Sequence, residues 1–120
     1  MHKVKFLNLT EDDKDLIVSF ALDDPELGVR SLTLLRTLFY EELLDEEERG
    51  VHVSLEGVEV EDENTNMLKQ ITINEGEIEI TSAFEKYKID ISQIASSEID
   101  EMLSLLRKQN HDNRFIIQFA

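Results

Sequence analysis

The sequence predicts an α+β domain: a mainly antiparallel sheet of about six strands, one amphipathic C-terminal helix and a short acidic helix in mid-chain. Two patterns lead to this prediction. Hydrophobic and polar residues alternate over several segments, which is typical of half-buried strands, and one segment near the C-terminus has apolar residues at helical spacing instead. Since 120 residues is the usual size of one domain, residues 1–120 are predicted to form a single domain.

Strand signals are weaker in the first half of the chain than in the second. Residues Lys3–Leu9 alternate weakly, with Val4 and Phe6 on the inner face of a predicted strand. Residues 15–22 admit two interpretations. A strand is favoured because the segment alternates and is rich in β-forming side chains, whereas a helix would begin at Thr10 with a Thr-x-x-Asp capping box.

The region before Gly50 contains a turn and a second segment with two interpretations. The turn, Asp23–Gly28, combines a proline with a glycine that can reverse the chain. Residues 30–37 are apolar-rich and predict a strand, followed by a short acidic helix over residues 39–48. A single helix over residues 31–48 is the alternative that the sequence leaves open.

A further strand is predicted at residues 51–55, and Gly57 interrupts it as a bulge or a tight turn would. The polar residues 62–66 then predict a surface loop. Three of them have the alternate spacing of an EF-hand calcium loop, but Met67 stands where that loop needs glycine and Ile73 where it needs glutamate. The sequence therefore predicts no calcium site here.

The clearest structural prediction is a three-strand antiparallel meander over roughly residues 67–91. A two-residue turn at Glu75–Gly76 would place four isoleucines on one face, with Ile73 opposite Ile78 and Ile71 opposite Ile80. The register predicted for the second hairpin pairs Ile78 with Tyr87, Glu77 with Lys88 and Glu79 with Lys86. This register is preferred because it creates two cross-strand ion pairs.

The amphipathic helix follows the meander. Its predicted buried stripe is Ile99, Met102, Leu103 and Leu106, at i, i+3, i+4 and i+7. Ser96 or Ser97 is the predicted N-cap, and Asn110 the predicted stop. After a turn, residues 114–119 predict a last strand.

Acidic residues dominate the charge of the chain. The formal net charge is −15, and eleven of the 27 acidic residues lie between Glu41 and Glu63, where Arg49 is the single basic residue. Such a surface repels nucleic acid and anionic membranes and attracts basic protein surfaces, so neither nucleic acid nor membrane is a predicted partner. The predicted interaction residues are Glu41, Glu42, Asp45, Glu46, Glu47, Glu48, Glu61, Asp62 and Glu63.

Motifs for catalysis, metal binding and cofactor binding do not emerge from the sequence. It contains no cysteine, its three histidines lack metal-ligand spacing, and its four glycines are scattered singly rather than in a phosphate-binding loop. We therefore predict no catalytic residue, no metal ligand and no cofactor. The absence of cysteine and of a continuous apolar leader favours a cytoplasmic location.

The leading functional hypothesis is a non-enzymatic interaction or adaptor protein that presents the Glu41–Glu63 surface to a basic protein partner. The alternative is a structural, self-associating domain without a specific acidic contact, and an enzyme is the least favoured class. The terminal strand also predicts a homodimer, because it has little charge to protect a sheet edge. The contact would include Phe115, Ile116 and Ile117, and a monomer with this strand in a central position is the alternative.

Overall fold

The computed structural model describes residues 2–26, 28–58 and 65–120. Within these ranges it contains eight strands, two short 3-10 turns and one α-helix. The strands are β1 (His2–Glu11), β2 (Asp15–Asp24), β3 (Gly28–Thr37), β4 (His52–Leu55), β5 (Leu68–Asn74), β6 (Glu77–Ser82), β7 (Lys86–Asp90) and β8 (Ile116–Phe119). The 3-10 turns are Glu41–Leu43 and Glu46–Glu48, and helix α1 is Ser96–Gln109.

All eight strands belong to one sheet, in the order β4-β3-β2-β1-β7-β6-β5-β8. The predicted α+β class is confirmed, but the sheet has eight strands rather than about six, because both segments that the sequence left open between strand and helix contain a strand. The sheet is mixed. Two neighbouring pairs, β1 with β7 and β5 with β8, are parallel, and the other pairs are antiparallel.

Residues 15–22 and residues 31–48, for which the sequence allowed either a strand or a helix, both contain a strand. β2 pairs with β1 on one side and with β3 on the other. The alternate side chains of β2 that face the core are Leu16, Val18 and Phe20. The helix alternatives for residues 15–22 and 31–48 are therefore wrong, because burial of alternate side chains is the pattern of a strand in a sheet.

Two 3-10 turns replace the short acidic helix predicted for residues 39–48. Between them the backbone at Leu44 and Asp45 is extended, with ψ of 153° and 152°. Arg49 holds this shape, because its guanidinium donates to the carbonyl oxygens of Leu44 and Glu42, each at 3.1 Å. In an α-helix those carbonyls would accept from the N–H four residues later. The prediction of a continuous helix is wrong for this reason.

The first hairpin of the meander, β5–β6, has the predicted register. The four isoleucines on the inner face pair as Ile73 with Ile78 and Ile71 with Ile80. Gly76 in the connecting turn has φ of +80°, which favours glycine. The sequence pattern and the turn chemistry both specify this hairpin.

The second hairpin, β6–β7, has a register shifted by two residues from the predicted one. The pairs that differ are Ile78 with Ile89, Glu79 with Lys88 and Glu77 with Asp90. An even shift keeps each side chain on its predicted face, so the alternation of buried and exposed residues was predicted correctly while the pairing was wrong.

Hydrogen bonds in the β6–β7 turn explain the shift. The N–H of Ser82 donates to the carbonyl of Glu85 at 2.8 Å, and the Ser82 hydroxyl accepts from the N–H of Glu85 at 3.1 Å. The buried side chain of Asn66 accepts from the N–H of Phe84 at 3.3 Å. These contacts place the turn one residue further along the chain than the predicted register does. Because Asn66 lies outside the hairpin, the hairpin sequence alone does not reveal it.

Reversing the charge of Glu79 tests the observed register. Its carboxylate lies 3.3 Å from Lys86 Nζ and 3.7 Å from Lys88 Nζ, so Glu79→Lys should lower the free energy of unfolding by about 1 kcal/mol. Adding Lys88→Glu should restore part of the loss. Urea melts of the four proteins in this double-mutant cycle measure the coupling, and a coupling energy of zero would contradict the pairing of Glu79 with Lys88.

The core lies between the halves of the curved sheet and the inner face of α1, which contacts β1 and β2. In the described part of the chain every strand except β8 contributes a buried hydrophobic side chain. The buried residues of α1 are Met102, Leu105, Leu106 and Gln109. The buried face is therefore rotated slightly from the predicted stripe, since Leu103 is only half-buried.

The ends of α1 differ in how well they match the prediction. Ala95 is the N-cap, and no side chain caps this end, because Ser96 and Ser97 already lie in the first turn. Asn110 ends the helix as predicted. Its amide accepts from the N–H of Phe115 at 3.1 Å and donates to the Phe115 carbonyl at 2.9 Å, which fixes the turn into β8. In the described ranges no helix is long and apolar enough to cross a membrane.

The sheet curves until β4 meets the beginning of β5. The N–H of Val53 donates to the carbonyl of Asn66 at 2.9 Å, and the N–H of Leu68 donates to the carbonyl of Val51 at 2.8 Å. The Asn66 side chain also donates to the Val53 carbonyl at 2.9 Å. This short bridge joins the two halves of the sheet between β4 and the beginning of β5.

Candidate interaction surface

Arg36, on β3, is the centre of a buried ionic cluster. Its side chain is 1% exposed. The guanidinium uses all five of its N–H donors. It donates to both carboxylate oxygens of Glu41 at 2.9 and 2.6 Å, to both of Asp112 at 2.8 and 2.9 Å, and to the Gln109 carbonyl at 2.8 Å. The cluster joins β3, the first 3-10 turn and the C-terminal end of α1.

These contacts determine which groups are charged. Burial alone would lower the pKa of Arg36, but its hydrogen bonds to Asp112 and Glu41 raise that pKa above the ordinary value. The hydrogen bond from Arg36 is the main reason that the pKa of Asp112 lies well below its usual range, and Arg114 lowers it further. Arg36 and Asp112 are both charged at neutral pH as a result. Glu41, which also accepts from the N–H of Gly50 at 3.2 Å, is fully engaged inside the protein.

Arg114 supplies a second ionic connection, close to the surface. It donates to Asp112 at 2.6 Å, to the Glu46 carboxylate at 2.7 Å and to the Arg49 carbonyl at 3.3 Å. Arg49 in turn lies 3.4 Å from Glu46. Both arginines therefore hold the second 3-10 turn against the segment before β8. The Glu46 carboxylate is exposed, but it forms ion pairs with both of them.

The segment between β3 and Val51 is thus held by three arginines, Arg36, Arg49 and Arg114. We call residues 38–50 the anchored loop. Each arginine contacts it through a backbone carbonyl or a carboxylate, so its shape does not depend on an external partner. A loop fixed in this way can present its remaining side chains with little loss of conformational entropy on binding.

Gly50 closes the anchored loop at a point without room for a side chain. Its φ is +117°, and a Cβ built there would lie 3.1 Å from Arg114 Cδ and 3.3 Å from Met67 Cε. Gly50→Ala should therefore destabilise the fold by about 1–3 kcal/mol, since it combines backbone strain with a close contact. Thermal melts beside Gly28→Ala, where nothing lies within 4 Å of the built Cβ, would separate the two causes, and equal losses would contradict the role of the close contact.

Four carboxylates of the anchored loop remain without an ion pair among the described residues: Glu42, Asp45, Glu47 and Glu48. The first three are exposed and Glu48 is half-buried. Of the other acidic residues predicted to form the surface, Glu41 and Glu46 are paired internally, and residues 61–63 lie outside the described residues. Among the described residues predicted to form the surface, the carboxylates without an ion pair are therefore those four of the anchored loop.

Exposed hydrophobic side chains lie beside these carboxylates. Leu43 is 77% exposed, Phe39 59% and Tyr40 54%. The rings of Phe39 and Tyr40 meet edge to face with centroids 4.7 Å apart, and the N–H of Leu43 donates to the Tyr40 carbonyl at 3.0 Å. Aromatic residues of this kind are enriched at protein interfaces. The anchored loop thus combines an apolar cluster with unpaired negative charge.

The three residues predicted for a dimer contact occupy different environments. Phe115 is buried inside the chain, Ile117 is half-buried, and Ile116 is exposed. β8 lies at one end of the sheet order and pairs with β5. Its uncharged outer residues include Phe119, which is also exposed.

The structure brings together residues that sequence reasoning did not connect. Asp112 and Arg36 are separated by 76 positions, and Glu46 and Arg114 by 68. The apolar cluster had a weak sequence signal, a run of apolar residues from Leu38 to Tyr40 directly after a strand. Among the described residues no group of three or more His, Asp or Glu side chains could hold a metal ion.

Comparison of the chain with protein-family models, with curated proteins and with solved structures gave no match. Its function therefore has to be inferred from the chemistry of its own surface.

Proposed function

We propose that this protein is a non-enzymatic binding module whose anchored loop takes a basic, partly apolar segment of another protein. One observation carries the proposal: Leu43, Phe39 and Tyr40 are exposed on a loop that internal arginines already hold in place. Leaving apolar side chains exposed on a rigid loop is typical of docking surfaces.

The charge of the loop indicates the chemistry of the partner. The carboxylates of Glu42, Asp45 and Glu47 are exposed and form no ion pair among the described residues, so they would attract Lys and Arg side chains. Such rim charges mainly accelerate association and exclude acidic competitors, whereas buried apolar contacts slow dissociation. A segment that alternates basic and apolar residues satisfies both requirements.

Binding of a synthetic peptide of alternating Lys and Leu residues tests the proposal. Fluorescence anisotropy should show saturable binding that weakens with salt, since exposed ion pairs are screened. Leu43→Ser should weaken binding by about tenfold, the cost expected for loss of one interface anchor. Val58→Ser, at another exposed apolar residue, is the matched control and should bind as the parent does.

Charge variants separate a specific site from general acidity. Glu42→Gln, Asp45→Asn and Glu47→Gln together remove three charges from the anchored loop. The control variant Asp13→Asn, Glu26→Gln and Glu101→Gln removes three exposed charges elsewhere. Binding should weaken in the first protein only. An equal loss in both would mean that the peptide senses only net charge, and the proposed site would be withdrawn.

Self-association through β8 is a second proposal, supported by a separate observation. β8 lies at an end of the sheet order, carries no charge and exposes Ile116 and Phe119, so it has none of the usual protection of an edge strand. Light scattering at micromolar concentration should show a dimer, and Ile116→Lys should abolish it. A monomer at every concentration would exclude this role.

A further inference from the structure

The two halves of the sheet separate beside β7 and leave a cleft. Among the described residues β1 pairs with β7 at two positions, His2 with Ile89 and Lys3 with Asp90, and it pairs with β2 along most of its length. The cleft of about 370 Å³ that results lies between β7, the first residue of β1, and the residues Leu22 and Leu55 of β2 and β4. We call it the seam cleft. Its volume is in the range of small-molecule sites, and it shares no residue with the anchored loop.

The floor of the seam cleft is apolar. Leu22 and Ile89 are core residues, and Leu55 and the ring of Tyr87 pack against the core from the edge. Burial is the main cause that raises the pKa of the Tyr87 phenol above its ordinary value, so the ring is neutral at physiological pH. An aliphatic chain placed here would replace water on this apolar surface, which is favourable.

The rim of the cleft carries two lysines, whereas the protein as a whole is acidic. Lys86, Lys88 and His2 line it, in a chain with only 12 Lys and Arg residues and a net charge of −15. The two lysines share a single carboxylate, that of Glu79, at 3.3 and 3.7 Å. One ammonium charge is therefore not balanced by this pairing.

The backbone of β7 adds hydrogen-bond donors on the same side. The N–H of Ser82 bonds to the Glu85 carbonyl, and that of Ile91 bonds to the Gly76 carbonyl. These two bonds fix the alternation of the β6–β7 ladder, so the N–H groups of Lys86 and Lys88 point away from β6. They face the side on which β1 pairs with Ile89 and Asp90.

We propose that the seam cleft binds a small amphipathic anion, namely a monocarboxylate with a medium-length acyl chain. The carboxylate would lie between the ammonium groups and N–H donors of Lys86 and Lys88, and the acyl chain would lie on Leu22, Leu55 and Ile89.

Titration with sodium decanoate below its micelle concentration tests this site. In ¹H–¹⁵N spectra of the full chain, the resonances of His2, Leu22, Leu55 and residues 86–89 should shift and saturate together. Decyltrimethylammonium, with the same chain and the opposite charge, should not produce these shifts. Shifts spread over the whole chain, or the same saturable shifts with the cation, would overturn the proposal.

Two variants assign the roles of the rim and the floor. Lys86→Gln with Lys88→Gln should weaken decanoate binding by about tenfold, the effect of losing exposed charge contacts. Lys69→Gln with Lys108→Gln removes the same charge elsewhere and should leave binding unchanged. Leu55→Phe should also weaken binding, because it fills the cleft. Unchanged affinity in the Lys86 and Lys88 variant would refute the assigned carboxylate position, and unchanged affinity in Leu55→Phe would refute the floor.

Discussion

Arg36→Leu should lower the free energy of unfolding by about 3 kcal/mol, the lower end of the cost of breaking a buried ion pair by removing one partner. The lower end applies because Glu41 and Asp112 reach water, with 17% and 33% of their side chains exposed. The loss has two parts: two carboxylates lose their shared cation, and the Gln109 carbonyl loses a donor. Urea denaturation followed by circular dichroism measures the change.

Arg107→Leu is the matched control for this variant. Arg107 lies on the exposed side of α1 and forms no ion pair within the described residues, so the same substitution there should change stability by at most about 0.5 kcal/mol. If both variants lost the same stability, the buried cluster would not be what holds β3 to α1.

The Arg36 cluster also predicts how the free energy of unfolding depends on pH in the acidic range. Arg36, with help from Arg114, depresses the pKa of Asp112 in the folded protein. A carboxylate with a depressed folded-state pKa contributes stability above its unfolded pKa, about 3.9, and loses it as the pH falls toward the folded value. The parent protein should therefore lose stability below about pH 4 more steeply than Arg36→Leu. Parallel acid profiles in urea melts would contradict this linkage.

The strands were predictable because alternation is a local property. The four isoleucines of β5 and β6 and the turn at Gly76 specify their pairing without any other part of the chain. The register of β6–β7 was not predictable in the same way, because two registers that differ by two residues keep the same faces. Asn66, from outside the hairpin, stabilises the turn that decides between them.

The candidate surface was only partly predictable, for a related reason. Composition shows that acidic residues concentrate between Glu41 and Glu63, but it does not distinguish a carboxylate that forms an internal ion pair from one that does not. Glu41 and Glu46 look like their neighbours in the sequence, yet they bind arginines of β3 and of the segment before β8. Contacts across 68 and 76 positions have no local signature. The exposure of Leu43 follows from the same contacts, since they fix the loop that displays it.

Leu106→Ala should cost about 2–5 kcal/mol, because it removes a fully buried side chain of α1 and leaves a cavity in the core. Leu103→Ala should cost clearly less, since Leu103 is half-buried at the margin of the helix face. Asp100→Ala, on the exposed side of α1, should have an effect within about 0.5 kcal/mol. This order distinguishes the observed helix face from the stripe predicted from spacing, in which Leu103 and Leu106 are equivalent. Urea melts of the three variants measure it, and equal losses for Leu103→Ala and Leu106→Ala would show that α1 is rotated from the position described.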